Sequence, residues 1–197
     1  MNNGLRIKSG RFLAGGFTLT ELLIVVSIMT IMNLLIFANY PEFSQRLALK
    51  RTSEDVALIV RQVQAYSLGI KRPVGTTDDK DYSGFGVHFD NTSEAKKKSL
   101  ILFADANKNK TYNGGELFQE YKINTGDIIS VLKECKTTCP EIQVPTLDIF
   151  YPRASPMAMI NGDDEVSYAQ ITIKSPKGKT RIIEIWTSGQ ISVKEGI

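Results

Sequence analysis

Hydrophobic and polar positions along the chain change regime twice. From Phe17 to Tyr40 there is one charged side chain, Glu21, in 24 positions, with neither Gly nor Pro and with apolar residues all round a helical projection. At 1.5 Å per residue such a helix is ~36 Å long, enough to cross a hydrocarbon layer of ~30 Å with some tilt. From Phe43 onward the apolar positions narrow to one stripe: Phe43, Leu47, Val56, Ile59, Val60, Val63 and Ile70. Arg46, Lys50, Arg51, Glu54, Asp55 and Arg61 take the other faces. Pro41 falls at the change of pattern, where it can kink a helix without ending it, because helical periodicity resumes at once. The pattern predicts one helix of about 50 residues, ended by Gly69 and Pro73.

Beyond Pro73 the texture becomes that of strands and turns. Short runs predict strands at 84–89, 100–104, 116–123, 128–132, 148–151, 168–174 and 180–187, with a shorter one at 190–193. Turn clusters separate them, among them Pro176-Lys-Gly178 and Ser188-Gly189. An antiparallel sheet lying on the amphipathic part of the helix would bury both apolar faces. The predicted fold is therefore α+β: a long N-terminal helix packed on a small antiparallel β-rich domain. The divisions are 1–16 as a basic extremity, 17–41 as the all-apolar half of the helix, 42–70 as its amphipathic half and 71–197 as the domain.

Charge sharpens this division. Residues 1–16 supply the net charge of +3 through Arg6, Lys8 and Arg11; the remaining 181 residues carry 21 basic and 21 acidic side chains. A neutral body argues against a broad nucleic-acid-binding surface. A basic extremity beside an apolar run is instead the layout of a membrane-targeting segment. Basic residues also follow the apolar run at Arg46, Lys50 and Arg51, so charge alone does not assign an orientation across a membrane. Cys135 and Cys139, spaced C-x3-C, read as a small disulfide loop if the chain is exported, and otherwise as free thiols. A structural metal site would need more ligands, and the single histidine is His88.

At the junction stands Ala14-Gly-Gly16-Phe17-Thr-Leu-Thr-Glu21-Leu-Leu23. A secretory signal peptide places its small-residue cut site after the apolar stretch; here Gly15-Gly16 precedes it, so the apolar helix would survive processing. These residues resemble the leader and first turns of type IV prepilins and type II secretion pseudopilins. The resemblance implies cleavage between Gly16 and Phe17 by a membrane prepilin peptidase, N-methylation of Phe17, and a leader facing the cytoplasm. It also implies a role in assembly for Glu21, paired with the N-terminal amine of a neighbouring subunit. An unpartnered carboxylate within a membrane helix costs ~2.5–3.5 kcal/mol or more, so such a partner has a physical motive. The alternative is a Glu21 that hydrates itself among headgroups.

Asp105, Asn107, Asn109, Thr111, Asn113 and Glu116 place oxygen-bearing side chains at positions 1, 3, 5, 7, 9 and 12 of a loop, the spacing of EF-hand calcium sites. Lys110 stands where that loop uses glycine, only two carboxylates are present, and the flanks read as strands. Calcium binding is one reading; an Asx-rich hairpin that caps its own backbone is the other. The run from Phe103 to Leu117 also resembles a loop of GspH/FimT-type minor pseudopilins and pilin-like proteins. Asp148-Ile-Phe-Tyr-Pro-Arg153 and Thr187-Ser-Gly-Gln-Ile191 resemble late elements of the same domains.

No nucleophile, zinc-protease or phosphate-loop motif occurs, Gly84-Phe-Gly86 is too short to be one, and His88 reads as a surface or edge-strand residue. Lys96-Lys-Lys98 and Lys174/Lys177/Lys179/Arg181 read as solvated turn lysines in preference to a DNA-binding patch. The chain is thus expected to be a non-enzymatic structural subunit of a pilus or pseudopilus, with no cofactor required. Its partners would be the peptidase, other pilin or pseudopilin subunits and an inner-membrane assembly platform. It would wait as a single-pass membrane protein with an extracytoplasmic domain. The rival reading is a membrane-anchored extracytoplasmic binding, adhesion or DNA-uptake protein.

Overall fold

The computed structural model describes residues 16–69, 82–136 and 141–196, with the side chains of residues 38 and 39 excepted. One helix, α1 (Leu19–Leu68), is followed by ten strands. They are β1 (Gly84–Asp90), β2 (Ser99–Ala104), β3 (Leu117–Lys122), β4 (Ile128–Lys136), β5 (Ile142–Val144), β6 (Thr146–Pro152), β7 (Met159–Ile160), β8 (Val166–Lys174), β9 (Thr180–Trp186) and β10 (Ile191–Glu195). The α+β class holds, but the strands form two five-stranded antiparallel sheets instead of one: β3-β2-β1-β6-β7 and β10-β9-β8-β4-β5. The short β5 and β7, too brief to show alternation, are the strands the sequence pattern misses.

The chain forms two compact units, Met1–Phe43 and Ser44–Ile197. In the first, α1 from Leu19 is apolar on all sides, and its large side chains are exposed throughout, from Leu19 at 77% to Phe37 at 72%. This stretch is long and apolar enough to cross a membrane. Pro41 lies inside α1 and does not end it.

In the second unit the amphipathic half of α1 belongs with the sheets. Leu49, Val56, Ala57, Ile59, Val60 and Val63 are buried and share one core with Phe85, Val87, Leu102, Ile149 and Tyr151 of the first sheet and Ile129, Leu132, Ile171, Ile183 and Ile185 of the second. Four members of the predicted stripe are thus inside. Phe43 and Leu47 are exposed at 66% and 38%, Leu49 enters the core in their stead, and Ile70 and Pro73 lie outside the described residues.

Polar side chains, with Ser67, Thr52 and Asp127 buried among them, fix how the helix sits on the sheets. Ser67 Oγ donates to the Tyr151 carbonyl (2.8 Å) and accepts from the Phe85 amide (3.1 Å). Thr52 and Thr125 hydroxyls both donate to Asp127 Oδ2, at 2.6 and 2.7 Å. Gln64 Nε2 donates to the Pro156 carbonyl (2.8 Å) beside Gly189, where a Cβ would stand 2.2 Å from that same oxygen. Gly189 also has φ +86°, so its turn between β9 and β10 requires glycine on two counts. At Gly84 a Cβ would stand 2.1 Å from the Tyr151 carbonyl oxygen and 2.7 Å from the Phe150 ring, and at Gly86 it would stand 2.3 Å from the Phe103 ring.

The Tyr151 hydroxyl is buried and has no hydrogen-bond partner among the described residues, and burial holds its pKa far above the ordinary tyrosine value. Two substitutions should therefore behave oppositely in urea denaturation of the full chain. Ser67→Ala strands a buried amide and is expected to cost about 1–3 kcal/mol, whereas Tyr151→Phe removes only an unsatisfied hydroxyl and should be neutral or stabilising. Equal losses for both would contradict this account of the core.

Candidate functional site

The predicted processing junction opens α1. Gly16 has open space where a Cβ would be, and Phe17 is 85% exposed. Thr18 stands at the N-cap: its Oγ1 accepts from the Glu21 amide at 3.3 Å, and its carbonyl accepts from the Leu22 amide at 3.2 Å. Glu21 Oε2 lies 3.4 Å from Thr18 Oγ1. Thr18-Leu-Thr-Glu21 therefore follows the S/T-x-x-E pattern of a capping box, with the carboxylate also facing the positive end of the helix dipole. This capping role for Glu21 was readable in the spacing and was missed beside the assembly role that the resemblance implies. Phe17, Glu21 and the apolar helix are one contiguous surface, open to whatever surrounds it.

The loop from Asp105 to Glu116 joins β2 to β3, and its side chains satisfy its own backbone. Asp105 is fully buried; Oδ1 accepts from the Asn109 amide (3.2 Å), and Oδ2 from the Lys110 amide (3.1 Å) and the Ser83 hydroxyl. Asn107 Oδ1 accepts from the Asn109 amide and Asn109 Oδ1 from the Thr111 amide, both at 3.0 Å. Asn113 Nδ2 donates to the Thr111 carbonyl at 3.2 Å. Glu116 Oε1 accepts from the amides of Ala106 and Asn107, and Oε2 from Asn113. Lys108 and Lys110 have φ of +65° and +68°, so Lys110 takes the left-handed turn for which an EF-hand loop uses glycine.

A calcium ion needs six to eight oxygens, with position 12 bidentate. Here both Glu116 oxygens accept from backbone amides, an arrangement that the Asx-rich hairpin accounts for without an ion. No cluster of three or more His, Cys, Asp or Glu suited to a metal occurs among the described residues. The loop is fastened from outside through Tyr112, whose amide donates to Asp148 Oδ2 (3.3 Å) and whose ring lies 4.7 Å from that of His88. Asp148 Oδ1 meets His88 Nδ1 at 2.7 Å. His88 is thus half-buried on β1, an interior strand, and not the surface or edge residue expected.

Three members of the lysine clusters have acidic partners. Lys96 donates to Asp90 Oδ2 at 2.7 Å, Lys97 meets Glu94 at 2.5 Å, and Arg181 lies 3.5 Å from Glu195. Burial pushes the Asp90 carboxyl up, but hydrogen bonds from Lys96 and Thr92 outweigh it and hold its pKa below the ordinary value. Cys135 is buried and disulfide-bonded; Cys139, its expected partner, lies outside the described residues. No family model, curated protein or solved structure matches the chain.

Two measurements check this description. Millimolar calcium is expected to give no heat on titration into the full chain and no rise in melting temperature; both together would show that the loop takes the ion. The Asp90 carboxyl binds its proton less readily folded than unfolded, so its stabilisation is present above the ordinary pKa of 3.8 and disappears as pH falls through the lower native value. Asp90→Asn should accordingly be less stable than the parent at pH 6 and indistinguishable from it, in this contribution, well below pH 3.

Proposed function

We propose that this chain is a subunit of a type IV pilus or pseudopilus-like filament, of the minor GspH/FimT-like kind. A prepilin peptidase cuts it between Gly16 and Phe17 and methylates the new N-terminus. Before assembly it is a single-pass membrane protein with residues 71–197 extracytoplasmic. With an assembly platform and other subunits, it then enters the filament through its N-terminal helix.

One observation carries the reading: a Gly-Gly-Phe junction immediately upstream of a helix apolar on every side, with a single acid in its first turn. A helix of that surface needs lipid or other helices around it, and a lone carboxylate within it needs a cation. Once Gly16 is removed, the Phe17 amine of a neighbouring copy is a cation of suitable size, and the pairing would set the axial register between subunits. The chain then needs no cofactor and performs no catalysis of its own.

Mass spectrometry of the membrane-extracted protein is expected to find residues 1–16 missing and Phe17 methylated. An intact leader, or loss of the helix itself, would leave an anchored binding or adhesion protein as the better account. The capping role makes Glu21→Gln more informative than Glu21→Ala, because glutamine preserves the cap and removes only the charge. Both variants should stay in the membrane and fail to enter filaments. Normal incorporation of Glu21→Gln would overturn the proposed charge pairing.

A further inference from the structure

Between Glu21 and Phe37 three polar side chains interrupt α1, and they are not equally satisfied. Ser27 Oγ donates to the Leu23 carbonyl at 2.7 Å and Thr30 Oγ1 to the Val26 carbonyl at 2.8 Å. Each hydroxyl proton is thus absorbed by its own helix, at little cost in lipid. Asn33 differs. Its Nδ2 donates to the Met29 carbonyl at 2.8 Å, which uses one of two N–H groups. The second N–H and the carbonyl Oδ1 have no partner among the described residues.

Depth makes this consequential. Asn33 lies four to five residues beyond the middle of the Phe17–Tyr40 stretch, ~7 Å along the axis, while the half-thickness of the hydrocarbon is ~15 Å. The side chain is too short to reach the interface from there. An unsatisfied amide in hydrocarbon is costly, and the usual remedy is a hydrogen bond to another helix.

We infer that Asn33 pairs with Asn33 of a second copy of this chain, joining two parallel helices at the same depth in the membrane. A carboxamide is self-complementary: each copy offers one free N–H and one free carbonyl, so two copies satisfy each other reciprocally with no other partner. Thr30 and Phe37, one turn to either side on the same face, would flank the contact. The contact differs from the staggered Phe17 amine–Glu21 pairing proposed for the filament, because it joins identical positions. It rests on the membrane reading of α1, and not on the filament.

The test is disulfide cross-linking of full-length chain carrying Phe37→Cys, in native membranes, with the chain lacking that substitution as control. Phe37→Cys is expected to yield a homodimer on mild oxidation. Adding Asn33→Leu should lower the dimer-to-monomer ratio roughly three- to thirty-fold, and Asn33→Gln should largely restore it. Equal cross-linking in the Asn33→Leu background overturns the inference while leaving the membrane reading intact, as does a product whose mass shows a different chain. Recovery of the protein outside the membrane fraction overturns both.

Discussion

Apolar helix surface has to be covered, and α1 has cover from its own chain along only part of its length. Val56, Val60 and Val63 are fully buried in a core shared with strands of both sheets. Between Leu19 and Phe37, fourteen large apolar side chains are exposed. At ~1.5–3 kcal/mol for burying each one, the unrelieved exposure amounts to tens of kcal/mol. That exceeds the ~5–15 kcal/mol by which domains are ordinarily stable. The domain can be at home in water, but the first half of the helix cannot. The functional reading follows from that imbalance more than from any single residue.

The polar contacts inside the domain add direction to this packing. Hydrophobic burial alone is tolerant of rotation, since a stripe of valines can slide on a sheet of isoleucines. Ser67 bonded to the backbone of β1 and β6, and Thr52 bonded to Asp127, remove that freedom, because turning the helix would strand buried donors and a buried carboxylate. Residues 44–68 are therefore held at a fixed rotation about the helix axis within the domain.

Much of this was legible in the sequence. Period and composition located the helix, its two regimes and eight strands, because the longer strands carry alternation such as Ile171/Ile173 and Ile183/Ile185. Two sheets instead of one could not be read, since which strands neighbour one another depends on long-range pairing that no local pattern encodes. The helix stripe was misjudged at Phe43 and Leu47 for a related reason: apolar character says what can be buried, not how far the covering sheets extend. At the candidate sites the loop from Asp105 to Glu116 was recognised from its spacing, but whether its oxygens turn inward or towards the backbone is a matter of conformation. The His88–Asp148–Tyr112 cluster joins β1, β6 and the β2–β3 loop, and only folding brings them together. The capping box at Thr18 was available from residue order and was obscured by a more conspicuous motif.

That cap has a consequence for the proposed cleavage. The groups that begin the helix, the Thr18 hydroxyl and carbonyl and the amides of Glu21 and Leu22, all lie downstream of Gly16. Severing the chain there would take none of them away. The rod would keep its first turn through the cut, gaining a free amine two residues from its tip without having to refold around it.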